Sequence, residues 1–122
     1  GIRDPRDLWV HPKSGASWEG YVIEEVIKTT DPEEVYFWAT HAGAELDLLL
    51  FLSGRRVGVE CKRVDAPRFT PSMRAALEDL GLDHLIVFYP GDRPYSLEKR
   101  VLVLPLRTLA SGPQALEAVF GN

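Results

Sequence analysis

The sequence predicts one mixed α/β (α+β) domain, with a mixed central sheet of about five strands flanked by helices. Three observations predict it. Residues 16–28 space their apolar positions at helical intervals. Three β-rich segments, 35–40, 45–52 and 57–63, follow closely on one another with turn residues between them. "HLIVFY" at 84–89 is a continuous apolar run, as a strand covered on both faces would show.

In chain order, the first dozen residues, with Pro5 and Pro12, read as an extended lead-in. "ASWEGYVIEEVIK" then forms a helix whose broad apolar arc contains Trp18, Tyr21, Val22, Ile23, Val26 and Ile27. "TTDPEE" turns into the strands "VYFWAT" and "ELDLLLFL", which flank the break "HAGA". "SGRR" leads into "VGVECKR" and completes a three-stranded meander. Thr70 and Pro71 mark a helix start, as N-cap and first helical residue. Met73, Ala76, Leu77 and Leu80 make that helix's apolar stripe, and Gly81 is placed to end it. "RVLVLPL" at 100–106 is a further strand, and a short helix between Pro113 and Gly121 closes the order α-β-β-β-α-β-β-α.

The 122 residues fit one domain, 1–122, with 45% hydrophobic and 26% charged residues, ordinary values for a soluble globular fold. The lone cysteine, Cys61, leaves no partner for an internal disulfide and fits a reducing, cytoplasmic setting. His11, His41 and His84 are scattered without zinc spacing, and the longest apolar runs are too short to span a bilayer. No secretion signal is evident, and no glycine-rich phosphate loop occurs. The net charge of −4 argues against strong non-specific DNA affinity by the domain alone. The charge is uneven, however. Arg55, Arg56, Lys62, Arg63, Arg68 and Arg74 cluster, while acids dominate Glu19 to Glu34. A solvated rim of arginines is the ordinary explanation.

Several charges do not fit a core pattern. On a strand, Gly58, Glu60 and Lys62 share one face while Val57, Val59 and Cys61 share the other. In the preceding strand Glu45, Asp47 and Leu49 share a face opposite Leu46, Leu48 and Leu50. Pairing through the "SGRR" turn lets Asp47 and Glu60 project from the same side, with Lys62 beside them. At about 100° per residue, Glu19 falls near the middle of the first helix's apolar arc. A carboxylate there needs a partner, so that helix is expected on the sheet face of Asp47 and Glu60.

Taken singly, Glu-x-Lys is a solvated strand face, Asp47 a turn residue and Glu19 one half of a structural ion pair. Together they suit metal-assisted phosphodiester hydrolysis. Asp47, Glu60 and the Cys61 carbonyl offer hard oxygens to Mg²⁺ or Mn²⁺. Lys62 is placed to orient or deprotonate the nucleophile, and Glu19 to take a second metal or order a water.

Asp47, Glu60 and Lys62, with the helix–three strands–helix–strand order, resemble the PD-(D/E)XK nuclease superfamily. Leu46 stands where that motif commonly has proline. "HPKSGASWEGYVIEEVI", "YFWATHAGAELDLLL" and "GVECKR" are similar to the C-terminal domain of unknown function of bacterial and archaeal AAA-type ATPases. The resemblance implies a restriction-endonuclease-like core whose site maps onto Glu19, Asp47, Glu60 and Lys62. It also implies a preceding P-loop module in a longer parent chain, which the absence of an initiator Met matches.

His41 is a candidate substrate contact or structural residue. Arg63, Arg68 and Arg74 are candidate phosphate contacts on DNA, and Trp18 and Trp38 read as core. Three functions follow as expectations: a metal-dependent DNA nuclease tied to an ATPase, a catalytically inactive module for nucleic-acid or protein interaction, and an oligomerisation domain. No membrane partner is expected.

Overall fold

A computed structural model describes residues 18–40 and 43–120, with side chains described through residue 116. Helix α1 spans Trp18–Thr30, followed by strands β1 (Glu34–Ala39), β2 (Glu45–Leu52) and β3 (Arg55–Cys61). Helix α2 (Pro71–Asp79) leads to β4 (His84–Tyr89), β5 (Tyr95–Glu98) and β6 (Val101–Pro105). A 3-10 helix, Leu106–Ser111, and helix α3, Pro113–Phe120, complete the order.

The expected mixed sheet flanked by helices is present, with six strands rather than about five, in the order β1-β2-β3-β4-β6-β5. The extra strand, β5, escapes sequence patterning because it is four residues long and carries a register irregularity against β6. Its residues alternate between half-buried and exposed, as an edge strand's do. The meander β1-β2-β3 is antiparallel, whereas β3, β4 and β6 run parallel. Strand β4 lies between two parallel neighbours, and Leu85 through Tyr89 are all buried, which explains its unbroken apolar run.

The β2–β3 hairpin turns on two residues, Ser53 and Gly54, both at positive φ (50° and 77°). Such a turn matches the right-handed twist of paired strands. It starts β3 at Arg55, two residues before the expected start, so the strand ends at Cys61 and Lys62 follows it. The main-chain N–H of Lys62 still donates to the Phe88 carbonyl at 2.9 Å, which holds its direction beside β4.

Two cores sit on the two sheet faces. Val22, Ile23 and Val26 of α1 pack with Leu48, Leu50, Val57, Val59 and Cys61. Met73, Ala76 and Leu77 of α2 pack with Leu46, Leu49, Leu85 and Val87. Gly58 belongs to the second face, where an added Cβ would lie 2.6 Å from Leu82 Cδ1. Trp18 and Trp38 are half-buried against the first and second cores respectively. Tyr21, expected in the apolar arc, is 53% exposed.

Thr70 caps α2 as the sequence indicates, its hydroxyl accepting from Met73 N–H at 3.1 Å, with Pro71 opening the helix. Gly81, at φ 60°, follows the helix end. Thr70→Ala removes the acceptor for that N–H and is expected to lower the unfolding free energy by about 1 kcal/mol, read from urea denaturation midpoints.

Candidate functional site: a carboxyl pair at the end of the central strand

The ladder between β2 and β3 sets the site. Its pairs run from Leu52↔Arg55 to Leu48↔Val59, so continuing the register would place Asp47 opposite Glu60. On the other side of β2 the register shifts. Tyr36 pairs with Leu49 but Trp38 pairs with Leu46, so three steps of β2 match two of β1. This bulge lies at Asp47 and Leu48. It corrects the strict alternation expected for β2, because Leu46 joins the core of Leu49 instead of that of Leu48.

Regular pairing with β3 stops here, and the Asp47 side chain takes over. Its Oδ2 accepts the main-chain N–H of Cys61 at 2.7 Å. The same carboxyl group shares a hydrogen bond with Glu60. The expected meeting of Asp47 and Glu60 is therefore present, and the bulge accompanies it.

Glu60 is 5% exposed. Burial pushes its carboxyl up to about 8, the negative charge of Asp47 adds to the rise, and Lys62 opposes it. Asp47 is also raised, first by burial, while the Cys61 N–H and the Lys62 charge pull it back. The pair therefore holds a proton near neutral pH, shared between the two carboxyls. Cys61 faces the α1 core, and burial with the carboxylates of Asp47, Glu60 and Glu19 pushes its thiol far up. That thiol is a packing group rather than a nucleophile.

Glu19 differs from expectation in two respects. Helix α1 covers the Cys61 face, whereas Glu60 shares its face with Gly58, toward α2. Glu19 is exposed in the first turn of α1, so it does not enter the apolar contact and needs no buried partner. Its charge nonetheless reaches Cys61, placing it near the same strand end from the opposite layer. Arg63, Arg68 and Arg74 are exposed beyond that end. His41 lies outside the described residues. No sequence signal points to Ser72, whose hydroxyl accepts the Glu45 N–H at 2.9 Å and donates to the Glu45 carbonyl at 3.1 Å. These bonds tie the start of α2 to the strand just before Asp47.

Two adjoining carboxyls are a donor set that suits a hard cation, because a cation neutralises the charge that a proton otherwise must. Among the described residues no group of three or more His, Cys, Asp and Glu side chains forms a metal cluster. A cation at Asp47 and Glu60 would need further oxygens from the main chain, such as the Cys61 carbonyl, from water or from a phosphate.

The fold and this site define a mixed α/β domain with a dicarboxyl pair, Glu60 buried and Asp47 half-buried, at the C-terminal end of β3. A family model described as "Domain of unknown function (DUF4143)" matches residues 14–109. The chain belongs to that family. It is 45% identical over 105 residues to the Uncharacterized protein Rv2008c of Mycobacterium tuberculosis and, equally, to the Uncharacterized protein Mb2031c of Mycobacterium bovis. The match covers 86% of this chain and 24% of each relative, so the chain spans about a quarter of their length. No solved structure gives a significant match. No helix among the described residues is long and apolar enough to cross a membrane.

The raised carboxyl of Glu60 fixes the sign of a pH effect. Between 4.5 and about 8 the folded state keeps a proton that the unfolded chain has released. Stability therefore falls as pH rises through that window and levels off above it. Glu60→Gln is expected to flatten the slope, the whole effect being a few kcal/mol at most. Urea unfolding at a series of pH values measures it.

Proposed function

We propose that this domain is a PD-(D/E)XK nuclease-like module of restriction-endonuclease-like fold that hydrolyses phosphodiester bonds in DNA with Mg²⁺ or Mn²⁺. One observation carries the reading: Asp47 and Glu60 share a hydrogen bond at the end of β3, with the charge of Lys62 acting on both. Asp47, Glu60 and the Cys61 carbonyl would hold the cation, with Glu19 approaching from α1. When bound, the ion supplies Lewis-acid polarisation of the phosphoryl oxygen and acidifies a water molecule.

The chain's own groups do the rest. Release of the Glu60 proton frees the second carboxylate for coordination. Lys62 offsets charge on the phosphate and orients the attacking water. Arg63, Arg68 and Arg74 contact flanking phosphates. The module works in the cytoplasm as the C-terminal part of a chain that also carries an AAA-type ATPase, which is consistent with the much greater length of the relatives.

A second reading has its own support. Glu60 is buried and holds a proton, as a purely structural carboxyl pair would. The domain would then be an inactive nuclease-fold module for nucleic-acid or protein interaction.

Titration with Mn²⁺ in a calorimeter, paired with incubation on plasmid and single-stranded DNA, separates the two. The nuclease predicts binding heat lost in Asp47→Asn and cleavage lowered at least about 100-fold by Lys62→Ala. Absence of metal heat, together with cleavage indifferent to Lys62, overturns it. Partner binding that survives EDTA and Asp47→Ala, with metal heat and cleavage both absent, supports the inactive module.

A further inference from the structure

We propose that the groove along α2 takes an unstacked base of a single-stranded nucleic acid, with the arginines of the β3–α2 loop on its phosphates. The inference rests on the reading of the domain as acting on nucleic acid, and it names the substrate's strandedness.

The groove has a volume of about 360 Å³ and is lined by Phe69, Thr70, Pro71, Arg74, Ala75 and Glu78. The Arg74 guanidinium lies over the Phe69 ring, 5.0 Å from its centroid. A guanidinium held over a ring at the lining of a groove is kept in place to meet a second flat group. A nucleobase is such a group, and any base will serve because each has a π face. Glu78 makes the same groove unfavourable for a phosphate, while leaving an acceptor for a base's N–H group, such as thymine N3–H.

The loop leading into the groove has complementary chemistry. Between Lys62 and Arg74 there are four cations and one acid, Asp65. Arg63 and Arg68 are exposed, and among the described residues no carboxylate forms a salt bridge with either, or with Arg74. Val64, 50% exposed, adds an apolar contact between them. The segment is anchored at several points. Lys62 N–H is bonded to β4, and the Pro67 carbonyl accepts the Tyr95 hydroxyl at 2.9 Å. Thr70 caps α2, and Ser72 is tied to Glu45. A strand lying along it would start two residues from Glu60 and end near the strand that carries Asp47.

Duplex is the poorer fit. Its bases are stacked on one another and unavailable to Arg74. It also carries twice the phosphate density, against a surface where Glu45, Asp65, Glu78 and Asp79 are all exposed.

Fluorescence anisotropy in EDTA, with labelled oligothymidylate of about 15 nucleotides and a hairpin duplex of equal length, tests the proposal. The expected result is single-strand binding at least about tenfold tighter than duplex binding, competed weakly by inorganic polyphosphate. Arg74→Ala should weaken it about tenfold, and Arg74→Lys nearly as much, because lysine keeps the charge but not the plane. Lys28→Ala, which removes an exposed cation from α1 on the opposite sheet face, should leave it unchanged. Equal or tighter duplex binding, no binding, full competition by polyphosphate, or indifference to both Arg74 variants overturns the proposal. Because no divalent ion is present, loss of the nuclease reading in the Mn²⁺ experiment would leave this result standing, and the converse also holds.

Discussion

The structure around the site depends on one hydrogen bond, from the Cys61 N–H to the Asp47 carboxylate. A buried main-chain donor must find an acceptor, and at this point β2 has bulged and the regular ladder with β3 has ended. A side-chain oxygen replaces the missing carbonyl. The replacement fixes the Asp47 carboxyl at the end of β3 and brings it against Glu60. An apolar residue at 47 would leave the donor unsatisfied, and a regular strand would not aim the carboxylate there. Bulge, carboxyl pair and strand end are thus one feature.

Holding two carboxyls together in a buried place has a cost, and the pair's shared proton reflects it. Lys62 stands just beyond the strand, near enough to lower both carboxyls but not enough to return either to its ordinary value. The site is therefore poised: a proton satisfies it when nothing else is present, and any stronger positive charge would displace that proton. Its position at the carboxyl ends of the parallel strands β3, β4 and β6 is where open α/β sheets bind their ligands. There Glu19 on α1 and Glu60 on the opposite face both act on the Cys61 thiol.

Much of this was legible in the sequence. The hairpin turn, the N-cap at Thr70 and the apolar run of β4 are local signals, each with its own chemistry, and Asp47 and Glu60 follow from counting back from the turn. What was not legible depends on neighbours. The bulge at Asp47 exists in the pairing with β1, and no residue in "ELDLLLFL" announces it. Strand β5 is held by β6 rather than by its own weak pattern. A helical wheel gives directions around α1 but not which direction meets the sheet. The rotation adopted buries Val22, Ile23 and Val26 and leaves Tyr21 outside. Glu19 shares the direction of the three buried residues, so its exposure goes with its place in the first turn, at the helix end, which a helical wheel does not show.

The net charge of −4 is a weak guide to what such a domain binds, because its charges are separated by the sheet. From Glu19 to Glu34 there are six acids and one lysine, and α1, on one face, carries half of those acids. From Lys62 to Arg74 there are four cations and one acid, in the loop and helix of the other face. At physiological ionic strength fields fade over roughly 8 Å, so a polyanion at the β3–α2 loop responds to that loop's cations, and to Glu45, Glu78 and Asp79 on the same side, more than to the acids of the opposite face. The acidic face acts instead on orientation: a polyanion that approaches it is repelled, and one that meets the β3–α2 loop is drawn in. A weakly acidic total and a directed attraction for one strand are therefore compatible, and the sheet that separates the two faces is what makes them so.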